Sequence, residues 1–249
     1  MTGASFQPIP AATLIVMRER VAGPPELLIV ERSAAMRFAG GALVFPGGRV
    51  DPGDRALAGL HRGDPDDLAA RIAAIRETIE EAGLAVGVAG LADLEWVRAA
   101  LYAGRPMGEV LAEAVIDLDA LVPFARWLPP SDVSHKVFDT RFYLARLPDD
   151  AAEAAVDGNE NVRLFWARAQ EVLDAADAGR ARIIFPTRRN LERLAQFGSF
   201  AEAAADARAH PVEPITPWVE MRDGEERLCI PEGLGYPVTS QGIGTALRA

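Results

Sequence analysis

The segment DPDDLAARIAAIRETIEEAG, residues 64–83, constrains this chain more than any other, because it carries its own start and stop. Asp64 is a favoured N-cap, Pro65 is pre-set for the first helical position, and Gly83 supplies the left-handed residue on which helices commonly end. Between them, at about 100° per residue, Ile72, Ile75, Ile79 and Ala82 share one side, while Glu77, Glu80 and Glu81 share another. A long amphipathic helix must therefore lie on a core and gather three carboxylates on its other side. Like charges three or four residues apart destabilise a helix by roughly 0.2–0.5 kcal/mol per pair. Such a face is either simply solvated or occupied by cations.

A second stretch, GALVFPGGRVDPGD at 41–54, supplies a complement. An apolar strand at 42–45 runs into Pro46, then Gly47 and Gly48, then a turn carrying Asp51 and Asp54. The glycines let main chain approach closely, so a carbonyl can join carboxylates around a hard cation while backbone passes near a phosphate. Loop and helix thus read as two halves of one metal and phosphate site.

Strand composition recurs at 11–19 and 26–33, joined by a Pro/Gly turn, then in LVPFARWLP and VFDTRFYLARLP, and again at 162–168. Two short helices are expected in ADLEWVRAALYAG and MGEVLAEAVI, and another in AQEVLDAADAG. From about 183 the texture turns helical, with a capping box from Ser199 to Glu202, and the tail holds a hairpin turned at Asp223 and Gly224. The pattern is α+β.

Lys and Arg number 26 against 36 Asp and Glu, a net charge of −10, which argues against a duplex-binding surface and against a nucleic-acid partner. Cys229 is the sole cysteine, so no intramolecular disulfide forms and a buried, inert thiol is expected. No apolar run approaches the ~20 residues that cross a bilayer, so no membrane is expected and the protein reads as cytoplasmic. His61, His135 and His210 have no metal-ligand spacing. Trp96, Trp127, Trp166 and Trp218 are most simply core or contact aromatics, with Trp127 or Phe142 as alternatives for stacking on a base.

These residues resemble the Nudix hydrolases, whose signature is G-x5-E-x7-R-E-U-x-E-E-x-G-U with U apolar. Gly48 matches the first glycine, and Arg76, Glu77, Glu80, Glu81, Gly83 and Leu84 match the second half. Asp54 stands at the family's first glutamate, Thr78 stands at an apolar position, and 21 residues in place of seven separate Asp54 from Arg76. The resemblance implies a central mixed β-sheet sandwiched between helices, occupying 1–182. Insertions fall at about 55–68 within the signature and, as helices, at about 88–120, and 183–249 is expected as a helical extension packed on the domain. It implies that Glu77, Glu80, Glu81 and the Gly47 carbonyl bind Mg²⁺ or Mn²⁺, and that Arg76 pairs with Asp54 to brace loop against helix. Glu80 or Glu81 would be the general base, and Glu160 is either a further metal ligand or base, or a solvated loop acid. A homodimer is a further family expectation.

Upstream, RSAAMRFAGGALVFPGG resembles the extra motif of the coenzyme A diphosphatase branch, through Arg32, Ser33, Arg37, Gly41 and Phe45 to Gly48. It implies a coenzyme A or acyl-CoA substrate, cleaved to 3′-phosphoadenosine 5′-phosphate and phosphopantetheine. Gly47 and Gly48 would lie against the diphosphate, with Arg32 and Arg37 gripping a phosphate through paired charge-assisted hydrogen bonds. The alternatives are ADP-ribose, a dinucleotide or a nucleotide sugar as substrate, or a non-catalytic nucleotide-sensing module.

Overall fold

The computed structural model describes residues 7–36, 39–130, 137–156, 158 and 160–246. Two strands open the chain, β1 (Ile9–Arg18) and β2 (Glu26–Arg32), paired antiparallel through Met17 and Leu27 across the expected turn. β3 (Ala42–Val44) returns along β2. The glycines that follow are themselves a strand, β4 (Gly47–Arg49), which adds antiparallel to the first half of β1. They serve space and not an unusual backbone angle. A side chain at Gly47 would run into the main chain of Ala12 and Thr13, and one at Gly48 into the carboxylate of Glu77.

Next come α1 (Pro52–Ala58) and the long α2 (Pro65–Ala82). The Asp64 side chain accepts the Asp66 N–H, and Gly83 sits at φ 65°, so both ends of α2 form as their residues dictate. A small insertion follows: β5 (Val88–Ala89), α3 (Leu94–Tyr102), α4 (Met107–Val110) and β6 (Val115–Ile116), with β5 and β6 pairing to close it. β7 (Val122–Trp127), β8 (Phe138–Arg146) and β9 (Asn161–Arg168) then complete the middle of the sheet. α5 (Ala169–Asp177), β10 (Arg182–Ile183), α6 (Phe185–Leu194), α7 (Phe200–Ala209) and β11 (Pro214–Ile215) come next. The chain ends in a three-stranded sheet, β12 (Trp218–Arg222), β13 (Glu225–Cys229) and β14 (Ser240–Gly242), followed by α8 (Ile243–Ala246). The stretch expected as a helical extension thus contains α6 and α7 but also four strands, β11 adding to the edge at β7 and β12 to β14 pairing with one another.

The main sheet runs β10-β3-β2-β1-β8-β7-β11, with β4 also on β1 and β9 also on β2. β1 and β8 are parallel over their length, while β1 with β2 and β7 with β8 are antiparallel, so the sheet is mixed. β1 alternates between two cores. Ala12, Leu14 and Val16 face α2 and the insertion; Ile15 and Met17 face α5, α6 and α7. Both faces of the strand are covered, which is why its sequence is a continuous apolar run. Ile72, Ile75 and Ile79 are fully buried under α2, each contributing roughly 1.5–3 kcal/mol relative to an exposed side chain.

Four local expectations meet the structure differently or in full. Ser199 caps α7 through the Glu202 N–H, but the Glu202 carboxylate reaches one residue further back, to the Gly198 N–H, so the reciprocal box does not close. Asp223 and Gly224, at φ 53° and 79°, turn the β12–β13 hairpin as expected. Cys229 is fully buried. Trp127 is also buried, edge-on to Phe185 and Tyr236, and Phe142 lies in the same core, so neither is placed to stack on a base. Among the described residues, no helix is long and apolar enough to cross a membrane.

Candidate active site

Three acidic side chains converge on one arginine where β4 passes the C-terminal half of α2. Arg76 donates from Nε to Asp54 at 3.0 Å and from Nη2 to Asp54 at 2.9 Å and to the Arg49 carbonyl at 2.8 Å. Its remaining nitrogen, Nη1, donates to Glu77 at 2.8 Å and to Glu80 at 3.2 Å. Asp54 and Arg76 are both buried. Burial alone would disfavour the guanidinium charge, but the Asp54 hydrogen bonds and the charges of Glu77 and Glu80 outweigh it and raise the arginine's pKa. Asp54 also accepts the Asp51 N–H at 2.8 Å, which fixes the first turn of α1.

The β1–β4 ladder decides which way the glycine backbone points. Leu14 N–H bonds the Pro46 carbonyl and Val50 N–H bonds the Pro10 carbonyl, so hydrogen-bonded pairs alternate and Gly47 and Arg49 fall between them. Their N–H and C=O groups consequently face away from β1, toward α2. Both consequences are visible: the Arg49 carbonyl meets Arg76, and the Gly47 N–H meets Glu81 Oε2 at 3.1 Å. The Gly47 carbonyl is directed to that same edge.

Crowding and burial push all three helix carboxylates upward. Glu81 rises to about 8, chiefly through burial and then the charge of Glu77, opposed by hydrogen bonds from Asn161 and the Gly47 N–H and by the charge of Arg32. Glu77 rises to about 7, again chiefly through burial, with Arg76 opposing and Glu80 adding. Glu80 is raised by burial against the pull of Arg76. Among the described residues, no group of three or more His, Cys, Asp or Glu is drawn together as a ready-made cage. Arg76 and the Gly47 N–H hold the carboxylates instead. The donor set nevertheless suits a hard divalent cation: carboxylate oxygens on one helix face beside a carbonyl edge.

The other expected residues lie at the rim or outside the described residues. Arg32 ends β2, its Nη2 3.7 Å from Glu160 Oε2, and its charge is felt by Glu81. The Glu160 carbonyl accepts the Ser33 N–H at 2.8 Å while its side chain is mostly exposed. Arg37 and His135 lie outside the described residues. His61 is exposed, and His210 Nδ1 contacts the Asp206 carbonyl at 2.9 Å, far from any acidic cluster of this site.

Three residues at the site were not singled out by the sequence. Asn161, fully buried at the start of β9, lies beside Glu81 and favours its charged form; a polar residue opening a strand gives no clue to its neighbour. Arg98 Nε and Tyr102 OH, both on α3, each donate at 2.8 Å to the Glu80 main-chain carbonyl. Arg98 also bonds the Ala155 carbonyl, and the Ala155 N–H bonds the Ala82 carbonyl. The insertion therefore caps the orphan carbonyls at the end of α2 and sets a cation beside its negative pole.

No family model matches the chain. A protein of Caenorhabditis elegans named "Putative nudix hydrolase 7" is 30% identical over 178 residues, covering 68% of this chain and 56% of that protein. The chain thus spans a little over half the length of this curated relative. The crystal structure of a NUDIX hydrolase from Alicyclobacillus acidocaldarius superposes with a TM-score of 0.72 at 29% identity, over 81% of this chain and 97% of that one. Together these matches support the Nudix hydrolase superfamily for this chain. The Nudix fold of that structure accounts for the mixed sheet between two helical layers.

Proposed function

We propose that this protein is a divalent-metal-dependent Nudix diphosphatase acting on a nucleoside diphosphate-linked substrate, with coenzyme A or an acyl derivative the favoured one. The observation that supports it is the approach of Glu81 and Glu77 to the Gly47–Gly48 backbone, with Glu80 held beside Glu77 on Arg76 and the Gly47 carbonyl turned to the same edge. Glu77, Glu80, Glu81 and that carbonyl would hold Mg²⁺ or Mn²⁺. When bound, the metal neutralises charge on the diphosphate oxygens and makes a water more acidic.

The chain's own residues do the rest. Arg76 holds α1 through Asp54 and β4 through the Arg49 carbonyl, fixing both against α2 so that the carboxylates keep their spacing. The glycine backbone leaves room for the diphosphate because no Cβ projects from it. Glu80 or Glu81 accepts the proton of the attacking water. Arg32, beside Glu160 and within electrostatic reach of Glu81, is positioned to meet a further phosphate at the rim, and with Arg37 it carries the coenzyme A reading through the upstream motif.

The test is a turnover panel of coenzyme A, ADP-ribose, diadenosine polyphosphates and nucleotide sugars with Mg²⁺ and with Mn²⁺, products identified by mass. The expected result is 3′-phosphoadenosine 5′-phosphate from coenzyme A, lost in Glu81→Gln with the fold retained. Preferential cleavage of another diphosphate would move the substrate and keep the chemistry. No cleavage of any diphosphate, with nucleotide binding retained, would replace the enzyme with a sensing module.

A further inference from the structure

The C-terminal three-stranded sheet ends in an open edge. Among the described residues, β12 pairs only with β13, and its Trp218, Val219 and Met221 are 42%, 52% and 61% exposed. An extended edge carrying large apolar side chains is a template for another strand.

The geometry of the hairpin says which backbone groups are on offer. Asp223 and Gly224 form a two-residue turn, so the flanking pair Arg222 and Glu225 is hydrogen-bonded, and so by alternation are Glu220 with Arg227 and Trp218 with Cys229. The other edge of β13 agrees: Ile230 N–H bonds the Thr239 carbonyl, which puts the even-numbered residues of β13 toward β14. Val219 and Met221 therefore turn both their N–H and their C=O outward, away from β13.

We propose that β12 pairs with β12 of a second copy of this chain, antiparallel and centred on Met221, joining two molecules about a two-fold axis. Strand parity requires the axis to pass through a residue pair; centring on Glu220 or Arg222 would set like charges opposite one another, whereas at the centre Met221 exchanges two N–H···O bonds with Met221 of the second copy. The neighbouring pairs are the close, non-hydrogen-bonded kind. There Glu220 of each copy lies opposite Arg222 of the other, so the sequence Glu-Met-Arg is complementary to itself when reversed. Within one molecule Arg222 already reaches Glu220 at 3.0 Å, and pairing gives each charge a second opposite neighbour while covering Met221. Charge complementarity thus selects a copy of the same strand as the occupant.

Sedimentation equilibrium of the full chain over a range of concentrations tests this. A reversible monomer–dimer equilibrium is expected. Glu220→Arg and Arg222→Glu each set like charges opposite one another and are expected to weaken it by about tenfold, whereas the double swap Glu220→Arg with Arg222→Glu restores it. Met221→Pro removes the central donor on an edge facing solvent, where the fold tolerates proline, and is expected to abolish dimers while the circular dichroism spectrum stays unchanged. A chain that remains monomeric throughout overturns the proposal. So does a dimer indifferent to the charge swaps, or one that the double swap fails to restore.

Discussion

Replacing Asp54 tests whether the first acid after the glycines is a brace or a ligand. In Asp54→Ala, Arg76 loses the partner bonded by two of its nitrogens, and the Asp51 N–H loses its acceptor. Removing one member of a buried ion pair costs about 3–5 kcal/mol when the other charge is left alone. Arg76 is not left alone, since Glu77, Glu80 and the Arg49 carbonyl still hold it. The ion-pair part should therefore fall to about 2 kcal/mol, with about 1 kcal/mol more for the lost turn contact. For a chain of this size, 3 kcal/mol corresponds to a fall in Tm of about 6–12 °C. Asp54→Asn keeps an acceptor for Arg76 and should lose about half as much.

Urea denaturation followed by circular dichroism gives the stability, and titration of Mn²⁺ gives the metal affinity of the same variants. A brace predicts the stability loss in metal-free protein, with Asn milder than Ala. If Asp54→Ala unfolds within about 0.5 kcal/mol of the parent yet no longer binds metal, the pairing with Arg76 is incidental and the reasoning fails.

Two other perturbations read the helix carboxylates. Their pKa values are raised in the fold, to about 7 for Glu77 and about 8 for Glu81, from 4.5 for the free side chain. The folded chain thus binds more protons than the unfolded one between these limits, so metal-free stability should fall as pH rises from about 4.5 to about 8. Thermal melts across that range should show it, and Mg²⁺ should flatten the curve by offsetting the ionised charges; a metal-free Tm that rises over the same interval contradicts the burial of these groups. Gly48→Ala would push a methyl into the Glu77 carboxylate, costing about 1–3 kcal/mol if the helix must shift, and should weaken Mn²⁺ binding measured by calorimetry; unchanged affinity would mean Glu77 moves aside without consequence.

The sequence made the long helix legible because its information is local: Asp64, Pro65 and Gly83 act within their own turns, and the isoleucine spacing fixes one buried side. The Asp223–Gly224 hairpin was legible for the same reason. β4 was not, since a three-residue strand holding two glycines has no intrinsic strand preference and forms because β1 offers an edge. Partners set by tertiary distance were equally invisible. Arg189 and Arg193 of α6 would pass for surface residues, yet both are buried: Arg193 pairs with Asp206 at 2.8 Å and lies over the rings of Phe124 and Tyr236, and Arg189 pairs with Glu192. Asn161, Arg98 and Tyr102 belong to the site on the same terms, through contacts separated by many residues in sequence.

The spacing between Asp54 and Arg76 shows how a local departure can leave a distant contact intact. Twenty-one residues stand between them, and the two side chains still meet at 2.9 Å. The intervening chain is mostly not loop. It finishes α1, turns at 59–63 and enters α2 well before the turns that carry Arg76 to Glu81, with Arg55 bonding Asp66 across the turn at 2.7 Å. Closing a flexible segment costs only about 0.6 kcal/mol per doubling of length, and residues absorbed into helix ends recover hydrogen bonds of their own. The pairing therefore depends on where the last turns of α2 and the first turn of α1 sit, the former fixed by packing on β1 and β4 and the latter by packing on α2 and α4, and hardly at all on the number of residues that connect them.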